Sequence, residues 1–187
     1  MKTKETLRKT ILAKRKHTLP EEIQHKSHQI TRILTQLPTL KKAHTILTYL
    51  ATPDEASTTA LIKWAFEYDK TILVPITTPD TNLQWTRLKN DYTLKKGPFG
   101  IPIPTQLDIT LPPTDAPIII PCIAFAQDGH RIGHGAGYYD RYLAQHQGPK
   151  ILIALELQHI QPFPPDPHDI KVDTIITETN IYDITTD

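Results

Sequence analysis

Leu7 and Ile11 repeat at helical spacing among Lys2, Lys4, Arg8, Lys9, Lys14, Arg15 and Lys16, so the chain opens with a predicted basic amphipathic helix over residues 2 to 16. Ile23, Ile30, Ile33, Leu34 and Leu37 continue that spacing as far as Pro38. Thr18, with Glu21 three residues on, reads as a capping box, and together these predict a second helix over roughly 19 to 36. The pattern then changes. Short apolar runs alternate with a helical stretch: Thr45 to Leu50, a helix from about Ser57 to Tyr68, then Thr71 to Ile76, which is a βαβ rhythm. Ile118 to Ile120 and Ile151 to Leu155 are continuously apolar, as strands covered on both faces must be, and Ile175-Ile176 predicts a last strand. Leu83 to Leu88 reads as an edge strand, and Gly97 to Pro113 as a proline-punctuated loop. Tyr139, Tyr142 and Leu143 share a face of a helix that Gly137 opens and Gly148-Pro149 closes.

These elements predict one α/β domain over residues 1–187: a three-layer α/β/α fold with a mixed, mostly parallel sheet, two N-terminal helices packed on it, and the site at the strand C-terminal ends. A length of 187 residues supports a substantial core without staples. Cys122, the only cysteine, excludes an intramolecular disulfide and a Cys-rich zinc site and points to a cytoplasmic protein. No apolar stretch of signal or membrane-spanning length is present, so no membrane partner is expected. A net charge of +1 offers no global field for a polyanion, and partners must be argued locally.

Glycine is scarce, with 7 residues against 17 prolines, yet Gly129, Gly133, Gly135 and Gly137 fall together between the Ile118 strand and a helix start. Alternating glycines let the main chain approach an oxygen-rich ligand, with Arg131 as a flanking cation and Asp140 as a carboxylate. The stretch lacks the Lys-Ser/Thr of a Walker loop and the spacing of a dinucleotide fingerprint. By spacing alone it is either a phosphate cradle with a metal-binding acid or a tight hairpin before a helix. Lys4 and Arg8, four apart, can hold one polyphosphate or form part of a solvated basic face. The same helix with the glycine loop could serve a non-catalytic nucleotide- or nucleic-acid-binding module, although one basic stripe at this net charge is a weak argument for nucleic acid.

Pro121-Cys122-Ile123-Ala124-Phe125 and the run from Gly129 through Gly133-His134-Gly135-Ala136-Gly137-Tyr138-Tyr139-Asp140-Arg141-Tyr142-Leu143 strongly resemble the signature of the 5-formyltetrahydrofolate cyclo-ligase family. Lys4 to Arg8, Asp54-Glu55, Gly100-Ile101-Pro102 with Pro104, His168-Asp169 and Val172-Asp173 agree in order over nearly the whole chain. The resemblance implies ATP- and Mg2+-dependent conversion of 5-formyltetrahydrofolate to 5,10-methenyltetrahydrofolate, with both small molecules as partners and the oligomeric state left open. It assigns ATP to Lys4, Arg8, Arg131, Ile132, Gly133, His134, Gly135, Ala136, Gly137, Tyr138 and Tyr139, and magnesium to Asp140 and Asp173. It assigns folate to Leu50, Glu55, Phe99 and Tyr138, and catalysis to Arg131, Tyr138 and Asp140. Ala136 stands where several relatives carry Lys, and His134 where Arg is common, so a side-chain cation is missing from this loop. For His168 and Asp169 the residues imply only a loop-fixing hydrogen bond.

Overall fold

The structure, a computed structural model, describes residues 3–78 and 82–184. Its elements run α1 (Lys4–Lys16), α2 (Pro20–Leu34), α3 (Pro38–Lys42), β1 (Thr45–Leu47), α4 (Thr59–Glu67), β2 (Thr71–Thr77), β3 (Leu83–Leu88), β4 (Leu94–Lys96) and β5 (Pro102–Pro104). They continue with β6 (Ile118–Ile120), β7 (Ala124–Phe125), β8 (Arg131–Ile132), α5 (Tyr138–Leu143), β9 (Lys150–Ile153), β10 (Thr174–Ile176) and β11 (Ile181–Asp183). Seven strands form one sheet in the order β11-β10-β9-β6-β1-β2-β3. The five central strands are parallel, and β3 and β11 close the two ends antiparallel.

Strict alternation inside the continuous apolar runs explains the layers. Ile46, Ile72, Val74, Ile119, Ile151, Ile153 and Ile176 face one side, where they meet Ile30 and Leu34 of α2 and Leu61, Ile62 and Ala65 of α4. Leu47, Leu73, Ile118, Ile120, Leu152 and Ile175 face the other, with Leu143, Tyr139 and Tyr142 of α5. Fully burying each aliphatic side chain contributes about 1.5–3 kcal/mol, so the sheet is held from both faces. Of the two N-terminal helices, α2 lies against β10 and α4, whereas α1 packs on β7 and on a 3-10 turn at Glu156–Gln158.

Several expectations change in detail. Thr18 does not cap α2: its hydroxyl donates to the Lys14 carbonyl, and the helix starts with Pro20 at its first position, where a fixed φ and a missing N–H cost nothing. Pro38 plays the same part, so the chain that was expected to leave helical structure there forms α3. The proline-punctuated stretch supplies β5, which pairs with β4 just ahead of it, and β11 follows the strand expected to be last. Gly148 does not stop α5, which ends at Leu143 with Ala144 as its C-cap. Instead, a Cβ on Gly148 would stand 2.3 Å from the Ala116 carbonyl oxygen, so glycine is required there by close backbone approach.

His146, four residues before β9, is buried and stacked on Tyr142, and its Nε2 bonds the Ala116 carbonyl at 2.9 Å while Nδ1 has no partner among the described residues. Burial holds its pKa below the ordinary value, and Lys150 adds to this; the Ala116 bond, Asp115 and Asp173 oppose it. The unfolded chain therefore takes up the proton first as pH falls, and stability is lost downward from the unfolded value of about 6.5. Thermal melting from pH 8 to pH 5 is expected to fall less steeply for His146→Gln than for the parent; equal slopes would count against this account.

Candidate functional site

Chain order places the site. From β1 the chain runs to α4 on one face of the sheet, and from β6 it runs to the β7–β8 hairpin and α5 on the other. The adjacent C-terminal ends of β1 and β6 therefore diverge and leave a crevice, the position at which open α/β sheets take ligands. Leu50 and the Thr52–Glu55 turn border it from the β1 side. Cys122, Arg131 and the glycine stretch border it from the β6 side.

Gly135 and Gly137 have φ of +100° and +69°, a conformation that L side chains rarely adopt, and this curls the chain ahead of α5. No amide N–H from His134 to Tyr139 has a partner among the described residues, so the loop presents donors. Arg8 donates through Nε to the Gly133 carbonyl at 2.9 Å, and its terminal nitrogen would lie 3.5 Å from a Cβ on Gly135. Arg141, which the sequence reading left without a role, donates to the Ala136 carbonyl at 2.7 Å and lies over the Tyr138 ring. Two guanidinium groups thus flank the loop in which Ala136 stands. The Tyr138 hydroxyl reaches the Thr78 carbonyl only at 3.5 Å.

Arg131 is committed within the protein. It donates to the Ile170 carbonyl at 2.6 Å and to Asp140 Oδ1 at 2.9 Å. Asp140 lies in the first turn of α5, and its Oδ1 also accepts from the Ile170 amide at 3.2 Å. Oδ2 has no partner among the described residues, so one oxygen remains for a hard cation beside the loop. Asp173 is not brought to it. Its carboxylate accepts from the Lys150 amide at 2.7 Å, at the N-terminal ends of β9 and β10. Of the two acids that the resemblance assigns to magnesium, only Asp140 lies beside the glycine loop, and an ion that fills its shell with phosphate oxygens and water needs no more than one or two carboxylates.

Lys4 turns toward the loop after Phe163, where its ammonium meets Asp166 at 2.6 Å and Asp169 at 2.5 Å. Asp166, His168 and Asp169 crowd together, and the ammonium already offsets one of the two negative charges. Burial opposes ionisation of Asp169, but the bonds from Lys4 and from the Asp166 amide prevail and hold its carboxyl below the usual value. Burial likewise works against the charge on Lys4, and the two carboxylates overcome it and raise its pKa. The latch is therefore intact from above the carboxylate range up to the lysine range. Asp169 thus makes the local loop bond that the residues implied, accepting from the Asp166 amide at 2.9 Å, and adds a long-range tie to α1 through Lys4.

On the opposite wall, Glu55 is nearly buried, with Oε2 accepting from the Thr52 amide at 2.9 Å. The Tyr49 hydroxyl donates to the Ala56 carbonyl at 2.6 Å. Burial and then the Glu55 charge hold the Tyr49 and Tyr139 phenols above their ordinary value, so both stay protonated donors. The Tyr139 ring packs on the core, as its place on the helix implied. Burial pushes the Cys122 thiol up to about 12, against Arg15 and Arg131, so it is not a nucleophile. The Phe99 side chain lies outside the described residues.

Sequence reasoning missed two buried groups. Arg15, read as part of a basic face, is 1% exposed and bonded to the Asp54 turn. Gln158 uses its amide to donate to the Cys122 carbonyl at 2.8 Å and to accept from the Leu155 amide at 2.8 Å, clamping the exits of β6 and β9. Only the inward spacing of Lys4, Arg8, Ile11 and Arg15 could have signalled that the stripe faces the protein. Arg15 is buried and Lys9 is paired to Glu5, so of the basic stripe Lys14 and Lys16 stay exposed without an acidic partner among the described residues, too short a patch to argue for nucleic acid.

A doubly wound sheet with a cation-flanked glycine loop on one side of its switch point and a partly buried carboxylate turn on the other defines an α/β protein that can hold an anion beside a second, hydrogen-bonding ligand. Residues 1–178 match the model of the 5-formyltetrahydrofolate cyclo-ligase family, a family of enzymes, and the chain belongs to it. It is 29% identical over 161 residues to the 5-formyltetrahydrofolate cyclo-ligase of Haemophilus influenzae, covering 82% of this chain and 86% of that one. The 5,10-methenyltetrahydrofolate synthetase of Aquifex aeolicus superposes with a TM-score of 0.85 at 31% identity, over 98% of this chain and 94% of that one. The Mycoplasma pneumoniae synthetase gives 0.77 at 27% identity, over 95% and 99%. No helix among the described residues is long and apolar enough to cross a membrane.

Proposed function

We propose that this chain cyclises 5-formyltetrahydrofolate to 5,10-methenyltetrahydrofolate, with ATP converted to ADP and phosphate. What carries the reading is the family match over residues 1–178, supported by the donor loop of His134 to Tyr139, with Arg8 and Asp140 beside it, on the β6 side of the switch point and the Glu55 turn on the β1 side. A formamide oxygen is a poor leaving group. Attack of that oxygen on the γ-phosphorus forms a C–O–P linkage as the bond to ADP breaks. N10 then adds to the activated carbon and loses its proton, and the C–O bond breaks to release phosphate. The protein's part is positioning and charge compensation.

The loop amides and Arg8 bind the phosphates, and Lys4, which uses two of its three N–H donors on Asp166 and Asp169, can add a third contact. Asp140 would hold magnesium through Oδ2 while Arg131 and the Ile170 amide fix its Oδ1. Magnesium supplies charge compensation on the phosphate oxygens. Glu55 accepts from the donors of the pterin ring, Leu50 gives that ring an apolar wall, and the Tyr138 hydroxyl lies at the junction of the two ligands.

Absorbance of the methenyl product with 5-formyltetrahydrofolate, with and without ATP and magnesium, tests the reading; a folded chain that makes no product with all three overturns it. Arg8→Ala is expected to raise KM for ATP about tenfold or more, since charge-assisted bonds to phosphate are the strong ones, and to leave KM for folate within about twofold. Initial-rate kinetics in both substrates decide this, and equal changes in both constants would assign Arg8 to the architecture of the loop.

A further inference from the structure

Lys4, Arg8, Ile11 and Arg15 follow one another at four, three and four residues, so they form one stripe along α1 with about 16 Å between its ends. Each is anchored at a different place: Lys4 on Asp166 and Asp169, Arg8 on the Gly133 carbonyl, Ile11 in an apolar cluster with Ile123, Ile132 and Phe163, and Arg15 on the Thr52–Glu55 turn. The last anchor is the most demanding. The Arg15 side chain is 1% exposed, and a fully desolvated guanidinium persists only where its charge and donors are met. Nε donates to the Asp54 carbonyl at 2.9 Å, a terminal nitrogen pairs with Asp54 Oδ2 at 2.9 Å, and the other reaches the Cys122 carbonyl at 3.5 Å.

The nitrogen that holds Asp54 also stands 3.8 Å from Glu55 Oε1. Among the described residues the turn is otherwise held locally, by Thr52 donating from its amide to Glu55 Oε2 and from its hydroxyl to Asp54 Oδ1, and by the Glu55 amide donating to the Thr52 carbonyl at 3.1 Å. Those bonds set the shape of the turn but not its place against the rest of the site. Among the described residues, Arg15 alone makes a side-chain tie from it to the helix that reaches the glycine loop and to the exit of β6 at Cys122.

We propose that Arg15 is a positioning residue of the folate side of the site: its fork holds the Thr52–Glu55 turn and so aims the Glu55 carboxylate into the crevice. The proposal rests on the reading of Glu55 as a folate contact. The planar guanidinium meets a carbonyl, a carboxylate and a second carbonyl at once, which a lysine ammonium at the end of a flexible stem cannot do.

The test is a double-mutant cycle on the full chain, with Kd for 5-formyltetrahydrofolate and Kd for ATP with magnesium measured by calorimetry for the parent, Arg15→Gln, Glu55→Gln and the double variant. The expected result is a loss of folate affinity of about tenfold or more in each single variant, little further loss in the double variant, and ATP affinity within about twofold throughout. Multiplicative losses, or parallel weakening of both ligands in Arg15→Gln, would overturn the proposal and leave Arg15 a structural group only. Unchanged folate affinity in Glu55→Gln would overturn the reading of Glu55, and the proposal with it. Should Arg15→Gln not fold, Arg15→Lys keeps the charge without the fork; it should weaken folate selectively, and parental folate affinity in it would overturn the proposal.

Discussion

Asp140→Asn is expected to lower turnover at least about 100-fold at subsaturating magnesium, since changes even to groups that only support a metal ligand cost about 10- to 100-fold. The amide retains the acceptor that meets the Ile170 N–H at 3.2 Å and the Arg131 guanidinium at 2.9 Å. It removes the negative charge on which a hard divalent ion depends. Arg131 loses its charged partner, so a stability loss of about 1–2 kcal/mol accompanies the change, too little to unfold a chain of ordinary stability. Turnover across a magnesium titration, read beside ligand-free melting, separates the effects. Activity that is lost, or returns only at high magnesium, in a folded variant keeps Asp140 as the metal ligand. Parental kinetics with a lowered melting point would reduce it to the partner of Arg131. Arg131→Ala is a poorer probe, because it also strands the Ile170 carbonyl and a half-buried carboxylate.

Gly148→Ala is expected to be among the most destabilising single-methyl changes in the molecule. The added Cβ would meet the Ala116 carbonyl oxygen at 2.3 Å and the Asp115 carbonyl carbon and oxygen at 2.6 Å. These are backbone atoms leading into β6, whose Ile118 to Ile120 are buried on both faces, so no flexible side chain can yield. Overpacking that must shift the main chain costs about 3 kcal/mol or more, which for a domain of this size lowers melting by roughly 10 °C. Gly133→Ala provides the contrast. Nothing lies within 4 Å of its Cβ position and its φ is ordinary, so melting should move by no more than about 0.5 kcal/mol. Similar melting of the two variants would show that the approach at Gly148 relaxes freely and that this account of the glycine is wrong.

The parallel sheet was legible because Ile118 to Ile120 and Ile151 to Leu155 are apolar without interruption, and an element bounded by water on either face could not be. The helices of the α/β rhythm were legible from their spacing. Their ends were less so: Thr18 and Glu21 have the composition of a cap, but Pro20 decides where α2 starts. The glycine loop was legible as a place that needs unusual backbone, which the φ values of Gly135 and Gly137 match.

What the residues along the chain determine by themselves is what depends on near neighbours: the alternation that buries both faces of the sheet, the helical stripes, and the run from Gly129 to Asp140 that marks the family. Tertiary structure decided which charges are spent inside the protein. Arg131 and Asp140 were each read as facing ligand, and they face one another. Asp173 was paired with Asp140 by resemblance, yet it closes the start of β9. Lys4, Arg8 and Arg15 look alike in a basic helix, and only the fold gives them an acidic latch, a glycine loop and a carboxylate turn. The physical reason is that the worth of a charge depends on how far it is removed from water and on which partners, tens of residues away in the chain, meet it there.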